Sequence, residues 1–411
     1  LGAAIACALL LVVPAYGKLV DRLPRLPLVV GVTLFFASHL VFFYLAGRFD
    51  WQIPMLPLIF FVWVGVFNLM VVSQLWSFAN DLFRSEQGKR LFPLVAFGAA
   101  LGSVVGSKIA SLVTDSLKAT AEAHEASKAS FTLLLMGGVV LAVCASLFVV
   151  AEQLSKQLKA RSAAGATASA PPAAKSETEP KPRGTEGGFQ LVLKHPYLLA
   201  IALFTLVLNF ANTNGEYMLG KFVQADAAQA LKQGVIASAG VRDYITHSFS
   251  EFYFGVNLVG FVVQTFLVSR IVKYGGIGVA LFVLPALTLG TGLAVVAIPA
   301  LAVIRIGKTL ENGIDYSLNN TVRQMLWLPT TRAMKYKAKQ AVDTFFVRLG
   351  DVGSALLVYV GSQLFSWPIG GFAAVNVVLA VLWIGLVLRI VRENKKLDPE
   401  AEPPAAAAAA A

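Results

Sequence analysis

The sequence predicts an all-α polytopic membrane protein built from two helical bundles. Three observations carry that expectation. Of 411 residues, 57% are hydrophobic and only 14% charged, whereas soluble domains run near a quarter charged. Eleven stretches are apolar and long enough, or nearly so, to cross a bilayer as helices, which takes about 20 residues. A low-complexity segment at residues 160–188 divides them into five before and six after.

The mean hydropathy of +0.70 excludes a soluble enzyme, a disordered chain and a nucleic-acid-binding domain. The net charge of +11 belongs instead in loops beside anionic lipid. Cys7 and Cys144 both lie in apolar runs and suggest no disulfide framework. His39, His124, His195 and His247 lie far apart without metal-ligand spacing. No cofactor is called for, and no nucleophile–base constellation argues for an enzyme.

The first span, 1–16, has the apolar core of a signal peptide. It lacks a basic leader and a small-residue cleavage site, so it reads as a transmembrane helix. Spans at 27–46, 54–77, 91–113 and 131–151 come next and complete a first bundle over 1–151. Residues 152–190 are expected to form a linker; the stretch ARSAAGATASAPPAAKSETEPKPRGTEGG has too few large apolar residues to fold. The second bundle, 191–391, holds spans at 191–213, 251–269, 277–297, 298–322, 340–362 and 368–389. The end, 392–411, reads as a disordered tail. Five spans against six suggest a six-plus-six design whose first helix is absent from this sequence.

Lysine and arginine set the orientation. If 17–26 is cytoplasmic, so are 81–90, 152–194, 270–276, 323–339 and 389–396, and together these hold 24 of the 34 basic residues. The opposite loops hold six. The linker and C-terminus are therefore expected in the cytoplasm.

Four basic residues remain inside spans: Lys108, Arg305, Lys308 and Arg348. A cation at the centre of a span costs on the order of 3 kcal/mol on insertion scales, so such residues default to a cavity-facing, functional reading. Lys308 lies about 15 Å and Arg348 about 12 Å from the nearer helix end at 1.5 Å per residue. Lys108 lies in the outer third, where it can also snorkel to the surface. Arg305, Lys308 and Arg348 are expected to point toward the interface between bundles.

The ninth span carries the most informative face. Arg305, Lys308, Asn312, Asp315, Asn319 and Arg323 fall within roughly 80° on a helical wheel. Such a stripe cannot face lipid. It lines water or substrate, or it forms a structural network in which Lys308 is neutralised by Glu311, Asn312 or Asp315 and Arg305 pairs across the bundle. Both readings can hold together. The sixth span adds Thr205, Asn209, Asn212, Thr213 and Glu216, and the tenth adds Asp343, Arg348, Asp351 and Ser354. Three polar faces in one bundle indicate a central binding cavity. Cations and amides together suit an anionic, hydrogen-bonding solute.

The loop GKLVDRLPR at 17–25 resembles the motif between the second and third helices of the major facilitator superfamily. Gly17 would allow close packing. Asp21 can cap the next helix or pair with Arg22, Arg25 or a neighbouring bundle, in a cluster that in this superfamily stabilises the outward-facing state. The motif's position makes the preceding span the second helix, consistent with five spans before the linker. The alternative is a plain basic turn.

Two longer stretches narrow the resemblance. Residues 74–107, with Trp76, Phe78, Ala79, Asn80, Glu86, Lys89 and Arg90, are similar to the fourth-to-fifth helix region of the ATP:ADP antiporter family. Residues 315–351 resemble that family's segment running from Tyr-Ser-Leu through a lysine series to Val-Asp. Two departures stand out. Asp315 replaces a basic residue, and Asn319, Asn320 and Thr321 stand where the family has Phe and Pro. A reversed charge on the stripe would alter the substrate or the coupling ion. Glu86, Lys89 and Arg90 either gate or anchor a turn. Lys335, Lys337 and Lys339 fit the positive-inside rule. Gly98, Gly102 and Gly106 suggest a close helix-packing face, not a phosphate loop, which needs Gly-Lys-Ser/Thr after a strand.

The resemblance implies a secondary transporter of major facilitator type in a bacterial inner membrane, working as a monomer by alternating access on a small organic anion, with a nucleotide first in line. Candidate solute-binding residues are Arg305, Lys308, Asn312, Asp315, Asn319, Arg348, Asp351, Asn209, Glu216 and Lys108. Candidate gating residues are Gly17, Asp21, Arg22, Arg25, Glu86, Lys89 and Arg90. Two rivals stay open: a proton-coupled transporter of another solute, with Glu216, Asp315 or Asp351 as carrier, and a membrane scaffold or sensor. A scaffold has no need of buried charge.

Overall fold

The computed structural model describes residues 2–83, 85–120, 123–165 and 186–397, and among these no strand occurs. The first bundle consists of α1 (Gly2–Arg22), α2 (Arg25–Arg48), α3 (Leu56–Leu82), α4 (Ser85–Thr120) and α5 (Ala123–Gly165). The short α6 (Gly188–Lys194) leads into the second: α7 (Pro196–Lys232), α8 (Val241–Val262), α9 (Val268–Ala297), α10 (Leu301–Ile314), α11 (Asn320–Met325), α12 (Lys339–Ala341), α13 (Val347–Tyr359) and α14 (Ile369–Leu397).

Several of these boundaries are π-helical turns and not breaks. Asp315–Asn319 joins α10 to α11, and Met334–Ala338 and Val342–Phe346 flank α12. The ninth and tenth predicted spans are therefore continuous rods. The true break in this region falls inside α9, at Gly276, where φ is +70° and ψ 179°. Only glycine takes that conformation cheaply, and it separates the seventh predicted span from the eighth.

Among the described residues, length and composition alone qualify seven helices as membrane-crossing, one of them the fused rod Val241–Ala297. The rod α10–α11 is not among them, because Arg305, Lys308, Glu311 and Asp315 lie along it. Large apolar side chains such as Leu11 and Phe254 cover the outside, as lipid requires. The helix α5 runs past the expected end of its span to Gly165. Residues 152–165 are rich in Glu, Gln, Lys, Leu and Ala, all good helix formers. The remainder of the expected linker, 166–185, and the tail from 398 lie outside the described residues.

The bundles meet along one end. There α1 and α3 pack on the segment Met334–Phe346, and α4 packs on α9 and α11. A continuous apolar core joins Leu9, Val13 and Val20 of α1 to Ala338, Ala341 and Val342. A second cluster joins Trp76 and Phe92 to Met325 and Leu328. Gly98, Gly102 and Gly106 do not form the close-packing face expected of them. A Cβ added at any of the three would meet nothing within 4 Å, because that side of α4 abuts no described neighbour.

Candidate functional site

The second bundle folds α10 with its polar face inward. Ile306 and Leu310 face outward, while Lys308, Glu311 and Asn312 are buried. The Lys308 ammonium is 1% exposed; it donates to Asn212 Oδ1 at 2.7 Å and Glu311 Oε2 at 3.1 Å. Asn212 also donates, at 3.5 Å, to Glu216 Oε1 one turn on along α7. A relay thus runs from the buried ion pair to the half-buried Glu216. Both amide atoms of Asn312, next to Glu311, are buried without a hydrogen-bond partner. Such atoms cost free energy unless water or solute reaches them.

A second polar centre lies where α13 crosses α7. Arg348 donates to Asp351 Oδ2 at 3.0 Å, and Thr213 donates to Asp351 Oδ1 at 2.9 Å. Both charged side chains keep over a quarter of their surface exposed. Gly350 makes this crossing possible, since a Cβ there would lie 2.5 Å from the Leu206 carbonyl oxygen and 2.9 Å from the Asn209 side chain. Gly350→Leu should therefore separate the helices, cost about 1–3 kcal/mol through overpacking, and lower the melting temperature of the purified protein. An unchanged melting temperature would mean that the crossing tolerates bulk.

The polar stripe of the ninth span is divided by the π-helical turn, which inserts a residue and rotates the downstream side chains by about 100°. Arg305 binds Glu251 Oε2 of α8 at 2.6 Å, and Glu251 also meets His247 Nε2 at 3.2 Å. Asp315 accepts from Asn319 within the turn itself at 2.6 Å. Arg323 reaches Asp343 at 3.5 Å. The expectation that Arg305, Lys308 and Arg348 all point toward the bundle interface needs correction. Lys308 points into the core of its own bundle, walled by Gly215 and Thr291, because only there does it find both Asn212 and Glu311. Asn209 stays on the α7 face but turns its amide to the Thr205 carbonyl. Lys108 stands apart, exposed on α4.

The gating residues separate into two contacts. Asp21 pairs across the bundles with Lys337 at 2.5 Å, and Lys337 is 2% exposed. Arg25 instead ties its own bundle together through Asp81 at 3.1 Å and Glu152 at 2.5 Å. Of the partners expected for Asp21, the neighbouring bundle supplies the one found, while Arg25 turns to its own bundle and Arg22 is exposed. Further bonds cross at the same end. Arg332 donates to the Leu23 carbonyl at 3.3 Å, Ser77 to the Lys335 carbonyl at 2.7 Å and Ser73 to Asp343 at 3.3 Å. Lys339, fully buried, binds Asp343 and lies over the Trp327 ring. Burial pushes the Lys335 ammonium below its ordinary range, against the pull of Asp81. At the chain's entry to α6, a hydrogen bond from Lys194 lowers the Glu186 carboxyl. Gly17, Glu86, Lys89 and Arg90 lie at this same end, at the close of α1 and the start of α4.

Sequence reading missed two features. Glu251 partners Arg305 from the adjacent helix, and its position at the head of the seventh span was the available signal. Asn376, a lone amide in the apolar α14, accepts from Asn214 at 2.8 Å and donates to the Ala211 carbonyl at 3.1 Å, clasping α7 to α14.

Two helical bundles closed against each other at one end, with ion pairs buried in the span region, give an all-α membrane architecture of major facilitator type. The folds of two solved transporters agree. A bacterial homologue of the iron transporter ferroportin, in its outward-facing state, superposes with a TM-score of 0.55 at 12% identity over 95% of this chain and 89% of the other. The human organic anion transporter MFSD10 (TETRAN) superposes at 0.57 and 14% identity, over 94% and 82%. The chain belongs to the TLC ATP/ADP transporter family, whose model matches residues 37–400. Its relatives include ADP,ATP carrier protein 5 of Rickettsia bellii, 24% identical over 80% of this chain and 68% of that protein. Another is the chloroplastic ADP,ATP carrier protein 2 of Arabidopsis thaliana, 21% identical over 83% of this chain and 54% of that one.

Proposed function

We propose that this chain exchanges nucleotides of the ATP/ADP type across a bacterial inner membrane by alternating access, with its basic end in the cytoplasm. The observation that carries the reading is the pair of arginines, Arg305 and Arg348, each partly exposed and each held by a carboxylate, Glu251 and Asp351. A guanidinium inside a span that its own bundle does not fully enclose would have to face water and not lipid. Its planar fork suits phosphate oxygens. The carboxylates neutralise the cations, and an incoming phosphate would take their place. Glu216, joined through Asn212 to Lys308, would then register the arriving charge.

A proton-coupled carrier is the second reading. It is favoured by Asp315, which stands where the exchangers carry a cation, and by Glu216 and Asp351 on the polar faces of α7 and α13. Counterflow in proteoliposomes separates the two. Efflux of labelled ATP should require external nucleotide and ignore an imposed pH gradient. Efflux driven by the gradient without counter-nucleotide would reject exchange in favour of proton coupling.

A further inference from the structure

A cavity of about 930 Å³ opens at the basic end of the molecule, away from the polar centres of α7, α10 and α13. Its walls come from both bundles: the start of α4, the bend at Gly276 with the flanking helix ends, and the end of α14. Gln264 donates to the Pro93 carbonyl at 2.9 Å, tying the walls together. Lys89, Arg90, Lys273 and Lys395 line the cavity, and among the described residues no acidic side chain does. The nearest carboxylate on α14, Glu393, is occupied by Lys396 at 2.7 Å. Deeper in, the lining turns apolar, with Val272, Ile277, Leu281 and Phe282. Leu94 and Val279 are exposed on the helices beside it. Tyr274 is 75% exposed, with Lys273 over its ring at 5.3 Å. Tyrosine and lysine together mark the headgroup level of a bilayer.

We infer that this cavity binds an anionic phospholipid of the leaflet at the basic end. Its phosphodiester would lie among the four cations and its acyl chains along the apolar floor. The charge pattern selects the occupant. A soluble phosphate has no use for the apolar half, and a zwitterionic lipid brings no net counter-charge to the exposed Lys273 and Lys395. Basic pockets between helices at this level take acidic headgroups for the same reason. Because the walls belong to both bundles, the lipid would also hold this end closed. The inference goes beyond nucleotide exchange and stands without it.

The test is native mass spectrometry of the full chain in detergent, titrated with equal amounts of phosphatidylglycerol and phosphatidylcholine. Wild type should retain one phosphatidylglycerol with a preference of roughly tenfold or more, the scale of several cations near one headgroup. Lys273→Gln with Lys395→Gln should abolish the preference, while Lys221→Gln with Lys232→Gln, at the opposite end, should leave it intact. Both altered lysines are exposed, so folding is preserved, and Lys273→Gln alone should show a partial loss. Equal retention of the two lipids by wild type would overturn the assignment. So would an equal loss in both double variants, or displacement of the lipid by millimolar glycerol phosphate, which would make this a site for a soluble anion.

Discussion

Replacing Lys308 with Gln should destabilise the protein by about 3–5 kcal/mol, the cost of leaving one member of a buried ion pair without its partner. The orphan would be Glu311, whose side chain is 6% exposed and which reaches Lys308 at 3.1 Å. Asn212 would lose a charged donor at the same time, and its link to Glu216 would loosen. The double variant Lys308→Gln, Glu311→Gln removes both charges, and two amides can still hydrogen-bond at i,i+3. It should recover most of the loss, so the coupling between the two changes should reach about 2 kcal/mol or more. Denaturation in detergent, followed by Trp fluorescence for the four proteins of the cycle, measures this directly. A single variant within about 1 kcal/mol of wild type, or a double variant as unstable as the summed singles, would mean that the pair is not an internal strut. Nucleotide binding should fall as well, because the strut holds the α7 face on which Asn212, Thr213 and Glu216 stand.

The spans were legible because lipid imposes a simple rule on composition and length, and even the break at Gly276 falls between two of the predicted spans. The directions of the buried charges were less legible. A helical wheel assumes 100° per residue throughout, and the turn Asp315–Asn319 breaks that assumption midway along the stripe. Arg323, beyond the turn, is consequently carried to Asp343, whereas Arg305 and Lys308, both before it, differ because one meets Glu251 of α8 and the other Asn212 of α7. Nothing local in the sequence announces a π-helical turn, which is set by tertiary packing. Partner choice was hidden for a similar reason. Asp21 had basic neighbours two turns or less away in the chain, yet it pairs with Lys337, more than 300 residues distant. Lys337 is buried between the bundles and has greater need of a counter-charge than an arginine in water.

The same reasoning makes Asp343 the strongest latch at the basic end. It accepts from Lys339, from Arg323 at 3.5 Å and from Ser73 of the first bundle at 3.3 Å. Lys339 has no exposed surface, and α12 packs on α3. In Asp343→Asn the Lys339 ammonium would sit buried with its charge uncompensated, but only while the bundles are closed at this end. Parting α3 from α12 admits water and relieves the penalty. The substitution therefore acts on the difference between states, and a difference of about 3 kcal/mol moves a two-state equilibrium by roughly 100-fold. Asp21→Asn should open the same end less, since Asp21 is one-third exposed in the closed state and its charge is partly solvated already. Ser77, buried between the bundles beside Lys335, is a suitable reporter. A Ser77→Cys probe in a background carrying Cys7→Ala and Cys144→Ala should react slowly with a membrane-impermeant maleimide applied from the basic end, and much faster once Asp343→Asn is added. Equal labelling rates with and without Asp343→Asn would place the latch elsewhere.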